Sequence, residues 1–289
     1  DITTFISKLN ITTKNNLKAV KSNKTIRIIL TDIHVGMQPN ENHYSLYNYT
    51  WDLHELEKRR KQVIQSVVDL NQEFEEIHVI DLGDLTDGFN AETTRGGHKL
   101  AQNLTNREQF EVAFEFKASL LLELQELFKV KVKSYNAVNC NHSADLDYIV
   151  NSSLKTYVEK LNSNIKVTNI ESFIGHYKHY NHTFAILHGK DEKHLKFGLK
   201  PKLDDKGKTL LEDYVRQNDL NGCITIEKGD SHVQLIDECT SKVFNYNNYL
   251  AFSPPSGWVQ HNFGSSKSGF NLMIINRENN DKQLITKYF

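Results

Sequence analysis

Again and again this chain runs an apolar stretch into a polar tip, and each tip carries side chains that bind metal. The tips are Asp32-Ile33-His34, Gly83-Asp84 with Asp87 behind it, Asn141-His142, His188-Gly189 and Gly229-Asp230-Ser231-His232. Most follow a run that reads as a buried strand: Thr25–Leu30, Ile77–Leu82, Val130–Val138, the second arm of a hairpin over Tyr177–Leu187, and Cys223–Glu227. Strands that gather polar groups at their carboxyl ends build α/β sheets, because sites collect there while helices cover the apolar faces. Carboxylate, imidazole and amide oxygen together suit hard and borderline divalent ions.

The segments between the tips support that architecture. Trp51–Leu70 has helical spacing, with Asp52 placed to start it. Asn106 is the expected cap of a long helix ending near Phe128, and Ala144–Leu161 is a third helix. Ile165–Thr168 reads as a strand and Thr209–Asn218 as a helix; strands follow near His232–Ile236, Val243–Tyr246, Phe270–Ile275 and Gln283–Tyr288, with loops over 88–106, 193–208 and 254–269. The expected fold is α/β, a four-layer α/β/β/α sandwich of two mixed sheets. Residues 1–24 form a polar lead-in, and residues 25–289 a single domain, since no repeat or linker interrupts them.

Composition narrows the partners. The 35 basic and 36 acidic residues nearly cancel, so any nucleic-acid surface must be a local patch. Three cysteines without paired spacing fit reduced thiols, and no apolar run spans a membrane, which together suggest a cytoplasmic protein without a membrane partner. The chain opens at Asp1 rather than Met, which leaves room for a preceding module.

In order and context the tips resemble the calcineurin-like metallophosphoesterase superfamily over roughly Ile26 to Ile236, through its D-x-H, G-D-x-x-D, G-N-H, lone H and G-H-x-H signatures. The resemblance implies two divalent ions, Mn²⁺ favoured and Mg²⁺ the alternative. Asp32, His34, Asp84 and His232 would hold the first; Asp84, Asn141, His188 and Asp230 the second, with Asp84 as the bridge. His142 would be the acid beside the phosphate, and Asp87 its orienting partner. Three departures stand out. Cys140 replaces a glycine, Ser143 replaces an acidic residue, and Asp230 replaces a histidine, which adds charge and hardness to the second site. The chemistry implied is hydrolysis of a phosphate ester by a metal-activated water. Gly88 stands where the protein phosphatases of the superfamily carry Arg, and the D-x-H-x-G opening looks more like its repair-exonuclease and phosphodiesterase branch. A phosphodiesterase or DNA nuclease, on single- or double-stranded DNA, is therefore expected. A phosphomonoesterase on nucleotides or phosphoproteins, or an impaired binding module, are the alternatives. Neutral His34, His188 and His232 would bind the metals, so affinity is expected to fall below about pH 6.

Other polar clusters have bland and sharp readings. Lys58-Arg59-Arg60-Lys61 reads as a solvated helix face, and Lys129, Lys131 and Lys133 as solvent-facing. Arg95, His98 and Lys99, in the loop after Asp87, are candidates for substrate phosphate; so is Lys190, which opens a basic loop extending to Lys202. Each could equally be an ordinary polar loop. His176 and His182 should share one face of the hairpin and His179 the other, all three exposed; Phe244–Trp258 should be core.

Overall fold

A computed structural model describes residues 17, 18, 20–40, 48–263 and 267–289. Most of the lead-in over 1–24 lies outside them. Among the described residues eleven strands form two mixed sheets. The first has the order β11(Lys282–Tyr288), β10(Gly269–Asn276), β1(Lys24–Leu30), β2(Glu76–Asp81), β3(Lys131–Ala137), β4(Ile165–Ile170). Its four early strands run parallel, and β10 and β11 are antiparallel additions on the β1 edge. The second has the order β5(Gly175–His179), β6(His182–Leu187), β7(Cys223–Lys228), β9(Asn245–Asn248), β8(Leu235–Asp237).

Strand alternation sorts the side chains into layers. Ile26, Ile28 and Leu30 of β1 face α1(Leu53–Val68), α2(Asn106–Phe128) and α3(Ala144–Leu161), whereas Ile29 faces the second sheet. Phe184 and Ile186 of β6 meet it there, while Ala185 and Leu187 turn outward toward Leu211 and Val215 of α4(Asp205–Gln217). The result is an α/β/β/α sandwich. Among the described residues no helix is long and apolar enough to cross a membrane.

Several buried cations hold the layers together, none of them visible as a pattern in the sequence. Arg27 reaches across from β1 to grip Glu227 of β7 with two hydrogen bonds, 2.8 and 2.5 Å, and its guanidinium lies 3.6 Å from the Phe184 ring centroid. Lys117 of α2 bonds Asp81, Asn136 and Asn151 at 2.6–2.7 Å, tying helix to sheet.

Boundaries moved where polar residues carried the signal. Thr105, not Asn106, caps α2, through a reciprocal box with Glu108. α4 starts at Asp205 because Asp204 caps it, four residues before Thr209. The 254–269 loop holds a short helix, α5(Gly257–Phe263). Arg59 and Arg60 are not a solvated face. They are buried in ion pairs with Glu55 and with Glu57 and Glu123, because their long stems pack while their heads find carboxylates. Lys133 pairs with Glu76 at 2.7 Å. His179 and His182 sit directly opposite in the hairpin, so the turn between them places both on the face toward the first sheet, with His182 buried. His176 is on the other face, bonded to Tyr214.

Candidate metal centre

The polar tips meet at the carboxyl ends of β1, β2, β3, β6 and β7. Five of the candidate residues, Asp32, His34, Asp84, Asp230 and His232, have φ between 48° and 65°. Left-handed backbone at non-glycine residues costs of order 1 kcal/mol or more each, and it concentrates where a site over-determines the chain. Here it lets successive polar residues turn inward as each strand ends. The turns also need tight approach. A Cβ on Gly83 would lie 2.9 Å from His188 Nδ1, and one on Gly229 would overlap Thr31 Oγ1.

Two groups of ligand atoms converge. In the first, His34 Nε2, His232 Nε2 and Asp32 Oδ1 approach one another at 3.2–3.8 Å. In the second, His188 Nε2 lies 3.0 Å from Asp84 Oδ2 and 3.1 Å from Asn141 Oδ1. Asp32 belongs to this second group too, alongside Asp84 and His188. His188 Nδ1 lies 2.8 Å from the Leu82 carbonyl. That bond assigns its proton to Nδ1 and frees Nε2 as a ligand atom. Asp84 Oδ2 is also 4.0 Å from His34 Nε2, so one carboxylate oxygen stands between the two groups. Asp32 Oδ1, His34 Nδ1 and His232 Nδ1 are buried without a well-aligned hydrogen bond, and two carboxylates sit buried among histidines. Such a donor set fits divalent cations, which would satisfy the buried anions.

The electrostatics agree. Burial alone would push Asp32 and Asp84 up, but His232 beside Asp32 and His188 beside Asp84 hold both well below the usual carboxylate range. Burial opposes charge on His188 as well, yet Asp84 overrides it and raises the imidazole to about 10. In the metal-free protein this histidine therefore carries a proton that an incoming cation must displace.

His142 stands at the rim, its side chain 22% exposed, with Nε2 3.9 Å from Asp84 Oδ2. Its Nδ1 lies 2.7 Å from the backbone carbonyl of Asp87. The Asp87 carboxylate faces His34 Nδ1 instead, at 3.3 Å, and lies 3.9 Å from His142 Nδ1. Burial disfavours the imidazolium, but Asp84 and Asp87 outweigh it and raise the pKa. Asp230 falls outside both converging groups; its Oδ2 lies 3.8 Å from the buried Lys228 Nζ, which also bonds Gly229 O, Ser231 and Asn248.

Arg95 is engaged elsewhere. Its guanidinium donates to the carbonyls of Asp191, His194 and Leu195, clamping the 88–106 loop to the basic loop after His188. The same loop touches the site through its backbone: Thr94 N donates to His142 O at 2.7 Å and Arg95 N to Asn141 O at 3.0 Å. His98 and Lys99 are exposed, and Lys99 pairs with Glu92. Lys190 is half-buried.

Sequence reasoning missed Asp147. Buried one turn into α3, it accepts from Leu85 N and Thr86 N at 2.9 Å each, from Thr86 Oγ1 at 2.7 Å, and from Ser143 Oγ and Cys140 Sγ at 3.2 Å each. One carboxylate thus joins the loop bearing Asp84 to the loop bearing Asn141 and His142. Ser143 and Cys140, departures on their own, are partners of a single acceptor four and seven residues on. The i, i+4 spacing of Ser143 and Asp147 at a helix start was the available signal.

The centre thus belongs to a sandwich with a metal-compatible cluster at its strand ends. No protein-family model matches the sequence, and neither does any curated protein. Among solved structures the chain is similar to Vps29 from Entamoeba histolytica complexed with Zn²⁺, at 12% identity over 91% of this chain and 98% of that one, with a TM-score of 0.38. It is also similar to 5'-nucleotidase from Candida albicans, at 12% identity over 94% and 52%, with a TM-score of 0.36. A third is the sulfate thiohydrolase SoxB from "Termus thermophilus", at 10% identity over 95% and 57%, with a TM-score of 0.33. Similarities this weak carry no argument about activity.

Proposed function

We propose that this chain is a dinuclear metal-dependent phosphoester hydrolase acting on phosphodiesters, with DNA as the favoured polymer. The observation that carries the reading is the place of Asp84 Oδ2, 3.0 Å from His188 Nε2, 4.0 Å from His34 Nε2 and 3.9 Å from His142 Nε2. One carboxylate oxygen serves both ligand groups and faces the candidate acid. Asp32, His34, Asp84 and His232 would hold one ion, and Asp84, Asn141 and His188 the other, which Asp230 would join on releasing Lys228. Bound ions supply neutralisation of the phosphate charge and activation of water at neutral pH. The mixed carboxylate and imidazole donor set, with its bridging Asp84, favours Mn²⁺, with Mg²⁺ next.

The chain's own groups do the rest. With Nδ1 committed to the Asp87 carbonyl, His142 carries its exchangeable proton on Nε2, facing the cluster. Burial works against that proton, but Asp84 and Asp87 outweigh it and raise the imidazole's affinity for it. His142 is therefore suited to hand it to the leaving oxygen. Asp147 fixes both loops so that Asp84 and His142 keep their separation. Support for a diester comes from Gly88, which leaves the phosphatase position without its Arg. The cysteines are free, Cys140 buried and Cys223 and Cys239 exposed, which supports a reducing compartment such as the cytoplasm.

The test is a panel of bis(p-nitrophenyl) phosphate, p-nitrophenyl phosphate, and single- and double-stranded DNA, with Mn²⁺ or Mg²⁺ and an EDTA control. Diester turnover that EDTA abolishes is expected. Turnover confined to monoesters would overturn the diester reading in favour of a phosphomonoesterase. Stoichiometric metal with no turnover of any ester would leave a binding module.

A further inference from the structure

The basic loop after His188 is a built feature rather than a slack turn. Leu199 N donates to Gly189 O at 2.7 Å, and Gly198 packs so closely that a Cβ there would lie 2.9 Å from the same carbonyl. The far end of the loop thus returns to within one residue of His188. Arg95 pins its middle through three carbonyls at 2.5–2.8 Å. Its acids are consumed locally. Asp191 is buried and accepts from the backbone of Lys193 and His194; Glu192 pairs with Lys193, and Asp204 with Lys200.

Between the pinned middle and the returning end stands Phe197, 77% exposed, more than any other large hydrophobic residue among those described. Lys196 Nζ lies 5.2 Å from its ring centroid. Among the described residues neither Lys196 nor Lys190 has a carboxylate within ion-pair distance. Phe197 and His188 are each one residue from the Gly198–Gly189 contact, so their backbones lie within about 14 Å of each other. An exposed aromatic face on a pinned loop, two uncompensated ammonium groups and a phosphoester site next door have one chemistry in common. A nucleobase stacks on a π face whatever its sequence, and its backbone seeks the cations.

We propose that Phe197, flanked by Lys196 and Lys190, is a stacking platform for a base of a single-stranded polynucleotide whose phosphate lies at the metal centre. The proposal rests on the phosphoester reading above and names its substrate class. A duplex hides its base faces, so the platform selects single strands.

The experiment compares the Mn²⁺-loaded full chain with Phe197→Ala and Phe197→Trp on a single-stranded oligonucleotide and on bis(p-nitrophenyl) phosphate. Because Phe197 is exposed, neither variant disturbs the core. Phe197→Ala should raise KM for the oligonucleotide about tenfold, leave the small diester unchanged, and be rescued by Phe197→Trp. Anisotropy of a labelled oligonucleotide on a His142→Ala background should show the same tenfold loss in binding without turnover. An unchanged oligonucleotide KM, or equal losses on both substrates, overturns the platform and leaves the hydrolase reading intact. Phe197-dependent binding without any hydrolysis by the parent chain upholds the platform and defeats the hydrolase reading. No binding of the oligonucleotide by the parent chain also overturns the platform.

Discussion

Replacing Asp147 by alanine should destabilise the metal-free protein far more at pH 4 than at pH 7. The buried amides of Leu85 and Thr86 have no other acceptor among the described residues. Each orphaned N–H costs about 1–3 kcal/mol, so the gross loss is about 2–6 kcal/mol. Thr86 Oγ1 and Ser143 Oγ keep each other at 2.5 Å and add little. Against this loss stands the cost of the charge itself. Burial, helped by Asp84 and Asp81, pushes the Asp147 carboxyl from 3.8 up to about 6 despite its hydrogen bonds. A raised folded-state value means that the fold holds the proton more tightly than the unfolded chain does. The native protein therefore loses stability as pH rises from about 4 to about 6, by roughly 3 kcal/mol at 1.36 kcal/mol per unit. Alanine has no such charge and escapes that loss. The variant should trail by about 2–6 kcal/mol at pH 4, and the gap should close by roughly 3 kcal/mol by pH 7. Urea denaturation in EDTA across that range, followed by circular dichroism, measures the gap directly. A gap that stays constant or widens with pH would refute the reasoning. In the same variant the loops carrying Asp84, Asn141 and His142 lose their common anchor, and metal affinity should drop about 10–100-fold by calorimetry.

Three further outcomes are expected. His142→Ala should lower kcat by about 10²–10⁴-fold while elemental analysis shows unchanged metal content; loss of metal would instead make His142 a ligand. His188, raised to about 10 by Asp84 against its burial, gives the metal-free fold stability that is complete below pH 6.5 and lost as pH climbs toward 10. Metal must displace that proton, so affinity should keep rising about tenfold per pH unit well above neutrality, not only up to about pH 6 as the unperturbed histidine suggests. Calorimetry at pH 8 in two buffers of different ionisation heat should find about one proton released at this site, and no buffer dependence would contradict it. Arg27→Met strands Glu227 between the sheets and should cost about 3–5 kcal/mol in urea denaturation, whereas Arg27→Met with Glu227→Leu should recover most of it.

Much of the fold was readable because its signals are local. β-branched runs ending in polar tips placed β1, β2, β3, β6 and β7, and helical spacing placed α1, α2 and α3 to within a few residues. Errors fell where local chemistry is ambiguous. A strand is expected over Val243–Tyr246, but β9 runs Asn245–Asn248, because Asn-Tyr-Asn-Asn is polar by sequence and buried through Tyr246 and side-chain amides. Strict alternation through the hairpin puts His176 and His182 on one face and His179 on the other. The turn resets it, and His179 faces His182.

The candidate centre shows the same division. Sequence alone determined which residues could gather, because each tip follows its strand within a few positions and strand ends in an α/β sheet must meet. It could not tell which atom of a residue does what. Only the tertiary structure decided that Asp87 serves His142 with its carbonyl and turns its carboxylate to His34, that Arg95 clamps two loops, and that Asp230 leans toward Lys228. The physical reason is distance along the chain. A strand and its tip are specified by neighbouring residues, whereas the partners of Arg27, Lys117 and Asp147 lie 200, 36 and 62 positions away. Those pairings exist only after the sheets have stacked and water has left, and burial then makes each of them obligatory.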